Sequence, residues 1–151
     1  MHRQRNGGLA LIEAIVALTL IAITASVIMA QMAQANIQSG RSVTQAEAAA
    51  IANAYLSEIL QRAWLDPDGV DGESARASYD DVDDYNGLND VGARDAAGAL
   101  IVGLDRYRVQ VSVGRSSALT GIPASDALRV TVSVAGPDGS TTLATGYRLR
   151  P

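Results

Sequence analysis

The sequence predicts an α+β fold in which one long N-terminal helix packs on a small antiparallel sheet of three to four strands. Residues 9–65 contain no Pro and a single Gly, Gly40, so one helix can run through them. The last third of the chain alternates apolar and polar residues, as the strands of a half-buried sheet do. With 151 residues, the chain has room for one small core.

The first part of the predicted helix is apolar enough to cross a membrane. Residues 14–35 carry no charge, and as a helix they cover about 33 Å, compared with about 30 Å for the hydrocarbon core of a bilayer. Arg3 and Arg5 precede this run with no acid beside them, a bias that keeps an N-terminus cytoplasmic. We therefore expect a single-pass membrane protein whose body faces the periplasm or the outside. The alternative is a secretory signal peptide that is removed.

The second part of the helix is amphipathic. Six apolar or small residues recur at helical spacing and predict the face that lies on the sheet: Ala49, Ala52, Leu56, Ile59, Leu60 and Ala63. Glu58 and Arg62 lie off this stripe, four residues apart in the order that favours an ion pair. Pro67 and Gly69 end the pattern, so the helix is expected to reach Leu65.

Three strands are predicted in residues 106–151. On each strand the apolar residues share one parity and are expected to face the helix; they are Tyr107, Val109, Val111 and Val113, then Leu128, Val130, Val132 and Val134, and last Leu143, Thr145, Tyr147 and Leu149. Residues 136–139, Gly-Pro-Asp-Gly, predict a hairpin turn between the last two strands. The three strands therefore predict an antiparallel meander laid over the helix.

Composition argues against an enzyme. The chain has no Cys and its only His is His2, so it lacks a thiolate nucleophile, a disulfide framework and the commonest catalytic base. Ser116 and Ser117 have no His to activate them. The remote alternative is a membrane-anchored periplasmic enzyme or metal-binding module that works with carboxylates alone.

The junction between the basic leader and the apolar run has a distinctive pattern. Gly8 is followed by the apolar Leu9, and Glu13 is the fifth residue counted from Leu9. A carboxylate there costs about 2.5 to 3.5 kcal/mol on membrane insertion, so it needs a partner or a route to the interface. The pattern resembles the N-terminal segment of type IV pilins and of type II secretion pseudopilins, although Leu9 and Ala10 stand where that family more often has Phe or Met and Thr or Ser.

The resemblance implies a route of processing and assembly. A prepilin peptidase would cut after Gly8 and methylate the amine of Leu9, and the helix would later leave the inner membrane for a filament of major and minor pilin subunits built on a pilus assembly platform. In the filament Glu13 would pair with the terminal ammonium of a neighbouring subunit. The alternative is that Glu13 snorkels to the membrane interface. Such a chain is a structural subunit, either a minor pilin of a type IV pilus or a minor pseudopilin of a type II secretion system.

A pilin-like fold also implies how the chain is divided. Its segments would be a cleaved basic leader (1–8), a transmembrane and filament-core helix (9–35) and a periplasmic head (36–151), the head consisting of the second half of the helix (36–65), an acidic loop (66–105) and the antiparallel sheet (106–151).

Residues 79–90, Tyr-Asp-Asp-Val-Asp-Asp-Tyr-Asn-Gly-Leu-Asn-Asp, narrow the resemblance. Together with Gly103, Leu104, Tyr107 and the Gly-Tyr-Arg string at 146–148, they are similar to minor pilins of mannose-sensitive haemagglutinin (MSHA) type pili. The implied subunit would belong to a pilus used in cell adhesion.

The acidic loop is a candidate calcium site. It holds eleven of the sixteen acids of the chain, opposed only by Arg76 and Arg94. An EF-hand alignment fails, because placing Gly87 at the sixth loop position leaves Val82 at the first. A different calcium site would use four side chains with hard oxygen ligands: Asp81, Asp83, Asp84 and Asn86. The alternative is a solvated acidic loop without a metal or any other cofactor.

Arginines on the predicted strands are the other candidate surface. Five of them are expected to share the polar face of the sheet: Arg106, Arg108, Arg129, Arg148 and Arg150. No aromatic residue alternates with them on that face, so nucleic acid is not expected as a partner. The alternatives are a solvated face or contact with the acidic loop of the next subunit.

Overall fold

The computed structural model describes residues 7–67, 69, 73 and 75–151, with side chains from residue 11 onward. One helix, α1, spans Gly7–Leu60. The chain divides into two compact units, Met1–Arg41 and Ser42–Pro151, so that α1 contributes to both. Arg3 and Arg5, on which the predicted orientation depends, lie outside the described residues.

The second unit contains a four-stranded antiparallel sheet in the order β1-β2-β3-β4. The strands are β1 (Asn89–Val91), β2 (Arg108–Arg115), β3 (Ala127–Ala135) and β4 (Thr141–Leu149). The turn predicted at 136–139 joins β3 to β4, and the N–H of Gly136 donates to the carbonyl of Ser140 at 2.8 Å. The predicted α+β fold, one long helix packed on a small antiparallel sheet, is confirmed.

The core lies between this sheet and the part of α1 from Ser42 onward. Its buried members are Ala48, Ile51, Ala52, Tyr55 and Ile59 from α1 and Val109, Val111, Leu128, Val130, Val132 and Val134 from β2 and β3. The valines are the ones that the alternation predicts, because a strand directs every second side chain to the helix. On α1 the buried face is turned slightly from the predicted stripe, since Ala48 and Tyr55 are buried while Ala49 is only half-buried.

The helix ends five residues before its predicted end. After Leu60 the backbone tightens, with the N–H of Arg62 donating to the carbonyl of Ile59 at 3.0 Å. Ala63 then pairs with the segment around Asp81, because its N–H donates to the Asp80 carbonyl and its own carbonyl accepts the N–H of Val82. Long-range pairing of the backbone, which local propensity does not contain, therefore ends α1 before Pro67 does.

The predicted parity of β4 is wrong. In the register of the sheet Leu128 faces Arg148 and Arg129 faces Tyr147, so Leu143, Thr145, Tyr147 and Leu149 lie on the outer face. The inner face carries Thr142, Ala144, Gly146 and Arg148 instead. The reason is the approach of α1, because a Cβ at Gly146 would lie 2.8 Å from Cδ1 of Leu60 and 3.2 Å from Cδ1 of Leu56. Only small side chains fit between β4 and the helix at this point.

The predicted loop at 66–105 contains ordered structure. Strand β1 lies within it and pairs with β2, with Asp90 opposite Val109. Two short 3-10 helices, Arg76–Ser78 and Asp83–Tyr85, also belong to this segment. Tyr85 and Val82 are fully buried and join the core, so apolar anchors hold the segment against the sheet and the helix.

Candidate functional site

The first unit presents an apolar surface on every side of its helix. All described side chains from residue 11 to residue 41 are exposed, among them Leu18, Ile21 and Met29. The most apolar stretch has a mean hydropathy of 2.4, and α1 is the one helix of the described residues that is long and apolar enough to cross a membrane. Such a surface is stable only under lipid or against other apolar helices.

The hydroxyl groups in this stretch are satisfied within the helix. The hydroxyl of Thr19 donates to the carbonyl of Val16 at 2.8 Å, and that of Ser26 donates to the carbonyl of Ala22 at 2.7 Å. Thr24 bonds the carbonyls of Leu20 and Ile21 in the same way. Since a polar group without a partner is costly in hydrocarbon, these bonds adapt the helix to an apolar environment.

Gly8, Leu9 and Glu13 lie on the first turns of α1. The side chain of Leu9 is outside the described residues, whereas Glu13 is exposed. Glu13 forms no ion pair with any described residue. Processing at Gly8 and Leu9 and pairing by Glu13 stay predictions.

A buried polar network surrounds Arg76, which is 7% exposed. One guanidinium nitrogen lies 2.7 Å from a carboxylate oxygen of Asp90, and another lies 2.9 Å from a carboxylate oxygen of Glu58. The guanidinium carbon is 4.2 Å from the ring centre of Tyr55, a cation–π distance. The net effect on Arg76 is a raised pKa: burial lowers it, but the partners Glu58 and Tyr55 raise it by more.

Two tyrosines extend the network. The hydroxyl of Tyr55 donates to Asp90 at 2.9 Å and accepts the N–H of Arg94 at 2.7 Å. Tyr85 donates to Glu58 at 2.9 Å, and burial, followed by this carboxylate, raises the pKa of Tyr85 to about 12. Burial likewise raises the pKa of Tyr55. The network ties α1 to two parts of the acidic loop, the short helix at Arg76–Ser78 and β1.

Sequence reasoning missed this network. It paired Glu58 with Arg62, but Glu58 is held by Arg76, and no ion pair joins Glu58 to Arg62 among the described residues. The sequence contains one signal for this network. Arg76 and Arg94 are the only basic residues among the eleven acids of the loop, and a buried Arg is normally paired with an acid. Both contact Asp90, Arg94 at 3.8 Å.

The four predicted calcium ligands fall into a hydrogen-bonded turn. The carboxylate of Asp84 accepts the backbone N–H groups of Asp80 and Asp81, while that of Asp81 accepts the N–H of Asp84 at 3.0 Å. Asn86 accepts the N–H of Val113 from β2, and Asp83 is exposed. Burial is the main reason that the pKa of Asp81 is raised. Oxygens of three of the four side chains thus hold backbone N–H groups.

The structure brings a different set of acids together. Within the described part of the chain, carboxylate oxygens of Glu73, Asp80 and Asp84 lie within 4.8 Å of one another, so Asp84 is the member that the prediction shares. A hydrogen bond to Asp84 is the main reason that the pKa of Glu73 is raised, and the charges of Asp84 and Asp80 act in the same direction. Calcium binding by this segment stays a prediction, and a rise in melting temperature on adding calcium would check it.

The predicted arginine face is divided between the two faces of the sheet. Arg108 and Arg129 are exposed on the outer face, whereas Arg148 follows the inner parity of β4 and is half-buried. Arg150 lies just beyond the strand, 3.7 Å from Asp126. The expectation that the five arginines form one polar face is therefore wrong. The close approach of α1 to Gly146 sets which residues of β4 face inward, and Arg148 is one of them.

The buried carboxylates of the second unit are engaged in contacts between its elements. The buried carboxylates Glu58 and Asp90 are engaged by Arg76 and by tyrosine hydroxyls, and each bond holds one element of the head to another. On α1 the described side chains from residue 11 to residue 41 are exposed, Glu13 among them. Comparisons of the chain with protein-family models, with curated proteins and with solved structures found no match.

Proposed function

We propose that this chain is a minor pilin, a structural and assembly subunit of a type IV pilus of the MSHA kind, most similar to the subunit lettered D. A prepilin peptidase cuts it after Gly8 and methylates Leu9. It is stored in the inner membrane through the first part of α1, with its head in the periplasm. The same helix later joins the filament core.

One combination of features carries the proposal. The Gly8-Leu9 junction and Glu13 stand at the start of a helix whose described side chains are exposed from residue 11 to residue 41 and carry no charge from residue 14 to residue 35. A simple membrane anchor has no need of a carboxylate at this depth, where it costs about 2.5 to 3.5 kcal/mol. A helix that meets the ammonium of a neighbouring subunit does need one, because pairing offsets the cost and sets the axial register.

The second candidate function is that of a minor pseudopilin in a type II secretion system. It would use the same junction, the same helix and the same Glu13. The acidic string at 79–90 favours the pilus. Deleting the gene and scoring pilus number and secretion separately distinguishes the two, because a pilus subunit lowers pilus number and leaves secretion intact.

The experiment that tests the shared part of the proposal is intact mass and N-terminal sequencing of the chain expressed with and without a prepilin peptidase. We expect loss of residues 1–8 and gain of one methyl group on Leu9 only when the peptidase is present. Gly8→Ile is the matched variant, since it changes the junction alone and should block the cut. An uncut chain, or a cut between residues 30 and 35, contradicts the proposal and supports an anchor or a signal peptide.

A further inference from the structure

Strand β4 is an open edge of the sheet. It ends the strand order and pairs only with β3, and no other described backbone group bonds to its free side. It is nine residues long and contains no Pro and no acid. Proteins usually shorten, charge or cover such an edge, because its free N–H and C=O groups pair readily with another strand.

The register shows which backbone groups are free. The N–H of Gly136 donates to the carbonyl of Ser140 at one end of the ladder. Ten residues after Ser140, the N–H of Arg150 donates to the carbonyl of Asp126 at the other end. Since hydrogen-bonded pairs alternate along an antiparallel ladder, Thr142, Ala144, Gly146 and Arg148 bond to β3. The N–H and C=O groups of Leu143, Thr145, Tyr147 and Leu149 therefore point to the open side.

The outer face of this edge is apolar. Leu143 is 66% exposed and Leu149 is 43% exposed. Tyr147, which lies between them along the strand, is 36% exposed. Apolar side chains next to free backbone groups favour pairing with a strand that presents apolar residues on the same face. The edge thus combines backbone and side-chain features of a strand-addition site.

A charged pocket lies on the inner side of the same edge. Arg148 and Arg150 line it with Trp64 and Leu65, and its volume is about 360 Å³. The buried Nε of Arg148 has no hydrogen-bond partner among the described residues, and Arg148 takes part in none of their ion pairs. Leaving a buried donor unpaired is costly, so the pocket is complementary to an anionic group.

These two features select the occupant. In a strand added beside β4, the residue opposite Arg148 forms a non-hydrogen-bonded pair, in which side chains come closest. An acidic side chain at that position would reach the Arg148 guanidinium. A second β4 strand is disfavoured, because it carries no acid and would bring a second Arg148 to the edge. The other edge strand, β1, is also a poor occupant, because it has three residues and its one acid, Asp90, is bound by Arg76. The occupant that suits the edge is therefore a segment of another protein.

We propose that the open edge of β4 pairs with an extended segment of another protein that places an acidic side chain against Arg148. Valine-like residues of the segment lie beside Leu143, Tyr147 and Leu149, and its carboxylate enters the pocket beside Trp64. The inference uses residues of the head alone and stands whether or not the chain is a pilus subunit.

The test is a peptide titration of the full chain in detergent micelles. The probe is a capped nine-residue peptide of alternating threonine and valine with glutamate at its centre, so that the valines occupy one face and the glutamate the other. Trp64 is the only Trp of the chain and lines the pocket, so its fluorescence reports binding. We expect a shift of Trp64 emission and about tenfold weaker binding when glutamine replaces the glutamate.

Two controls make the test specific. Arg148→Gln should remove the preference for the glutamate peptide, whereas Arg129→Gln, the same change on the exposed outer face, should retain it. A peptide N-methylated on its valines cannot donate to the carbonyls of β4 and should lose binding to the unchanged protein. This second probe keeps the proposal testable if Arg148→Gln does not fold.

Three outcomes overturn the proposal. The first is absence of binding at millimolar peptide. The second is equal binding of the glutamate, glutamine and N-methylated peptides. The third is a disulfide-linked dimer of a Thr145→Cys variant that forms to the same extent when the peptide is present during oxidation, since the chain has no other Cys and such a dimer means that a second copy occupies the edge.

Discussion

Arg76 is the residue that joins the acidic segment to the rest of the head. It neutralises Glu58 of α1 and Asp90 of β1 and stacks on Tyr55. The two carboxylates belong to different elements, so Arg76 adds a polar connection to the core contacts that Val82 and Tyr85 already make. A buried cation with two carboxylates also fixes one arrangement of these elements, since any other would leave charge unpaired.

Replacing Arg76 should therefore destabilise the head more than replacing an exposed arginine. We expect Arg76→Gln to lower the free energy of unfolding by about 3 kcal/mol, because Glu58 and Asp90 stay buried without their cation. Arg129→Gln is the matched control and should change it by less than about 0.5 kcal/mol. Urea unfolding followed by Trp64 fluorescence measures both; equal effects would show that the network contributes no more than a surface charge.

Tyr85 should make the stability of the head depend on alkaline pH. Its pKa is raised from 10.0 to about 12, first by burial and then by the Glu58 carboxylate. Its contribution is therefore complete below pH 10.0 and is lost as pH rises towards about 12, because the unfolded chain releases a proton that the folded chain retains.

Tyr85→Phe tests this dependence. The free energy of unfolding should fall less between about pH 9 and about pH 11 in Tyr85→Phe than in the parent chain, because the variant has one proton fewer to release. Urea midpoints at the two pH values measure the difference. The same fall in both proteins would mean that Tyr85 ionises equally in the folded and unfolded chains.

At the scale of elements, the contact between α1 and β4 decides which face of β4 is buried. Leu56 and Leu60 of α1 occupy the space beside Gly146, so the strand places Gly146 and Ala144 inward and its larger residues outward. The alternation of apolar and polar residues predicts instead that Leu143, Tyr147 and Leu149 face the helix. It fails because the helix lies too close to this strand for a leucine or a tyrosine to fit between them.

Gly146→Val should therefore destabilise the sheet, whereas Gly114→Val should not. A Cβ at Gly146 meets Leu60 at 2.8 Å, while one at Gly114 of β2 meets nothing within 4 Å. We expect Gly146→Val to lower the free energy of unfolding by about 1 to 3 kcal/mol through overpacking. Gly114→Val should leave it unchanged or raise it slightly, since valine favours strands. Similar losses in the two variants would contradict the role of helix approach.

At the scale of the whole molecule, the chain contains one part that is buried in itself and another that needs a different environment. The second unit, Ser42–Pro151, has its own core and its own polar network. The helix up to Arg41 has all its described side chains exposed, and its hydroxyls bond its own backbone. Lipid and packed apolar helices are the two surroundings that suit such a surface, and the proposed function uses them in succession.

Glu13 should matter in the second of these surroundings and not in the first. We expect Glu13→Ala to insert into the membrane at least as well as the parent chain, because it removes a charge that is costly in hydrocarbon. Its incorporation into filaments should fall severalfold, since the ammonium of the neighbouring subunit loses its partner.

The matched control is Thr19→Ala, which removes a polar group that already bonds the Val16 carbonyl within the helix. It should be incorporated at the level of the parent chain. Quantitative immunoblots of membranes and of sheared filaments measure both steps. Incorporation of Glu13→Ala at parental level would show that the carboxylate has no pairing role.

The candidate site was predictable from the sequence only in part. Gly8, Leu9 and Glu13 stay predictions, which rest on local patterns: a junction and a single acid in an apolar run. The Arg76 network was missed, because Glu58, Arg76 and Asp90 are far apart in sequence and meet through the packing of α1, the acidic segment and β1. Asp84 was among the predicted ligands, but its partners Glu73 and Asp80 were not.

The sequence by itself determined the fold class and the part of α1 that is apolar enough to cross a membrane. It also determined which valines of β2 and β3 face the helix, and the turn at 136–139. Each of these follows from a period or a turn that is written within a few residues. Only the tertiary structure decided that α1 ends at Leu60, that β1 forms within the acidic segment and that β4 turns its apolar residues outward. These depend on how closely distant elements approach one another, and the distance between α1 and Gly146 is set by packing that no local pattern contains.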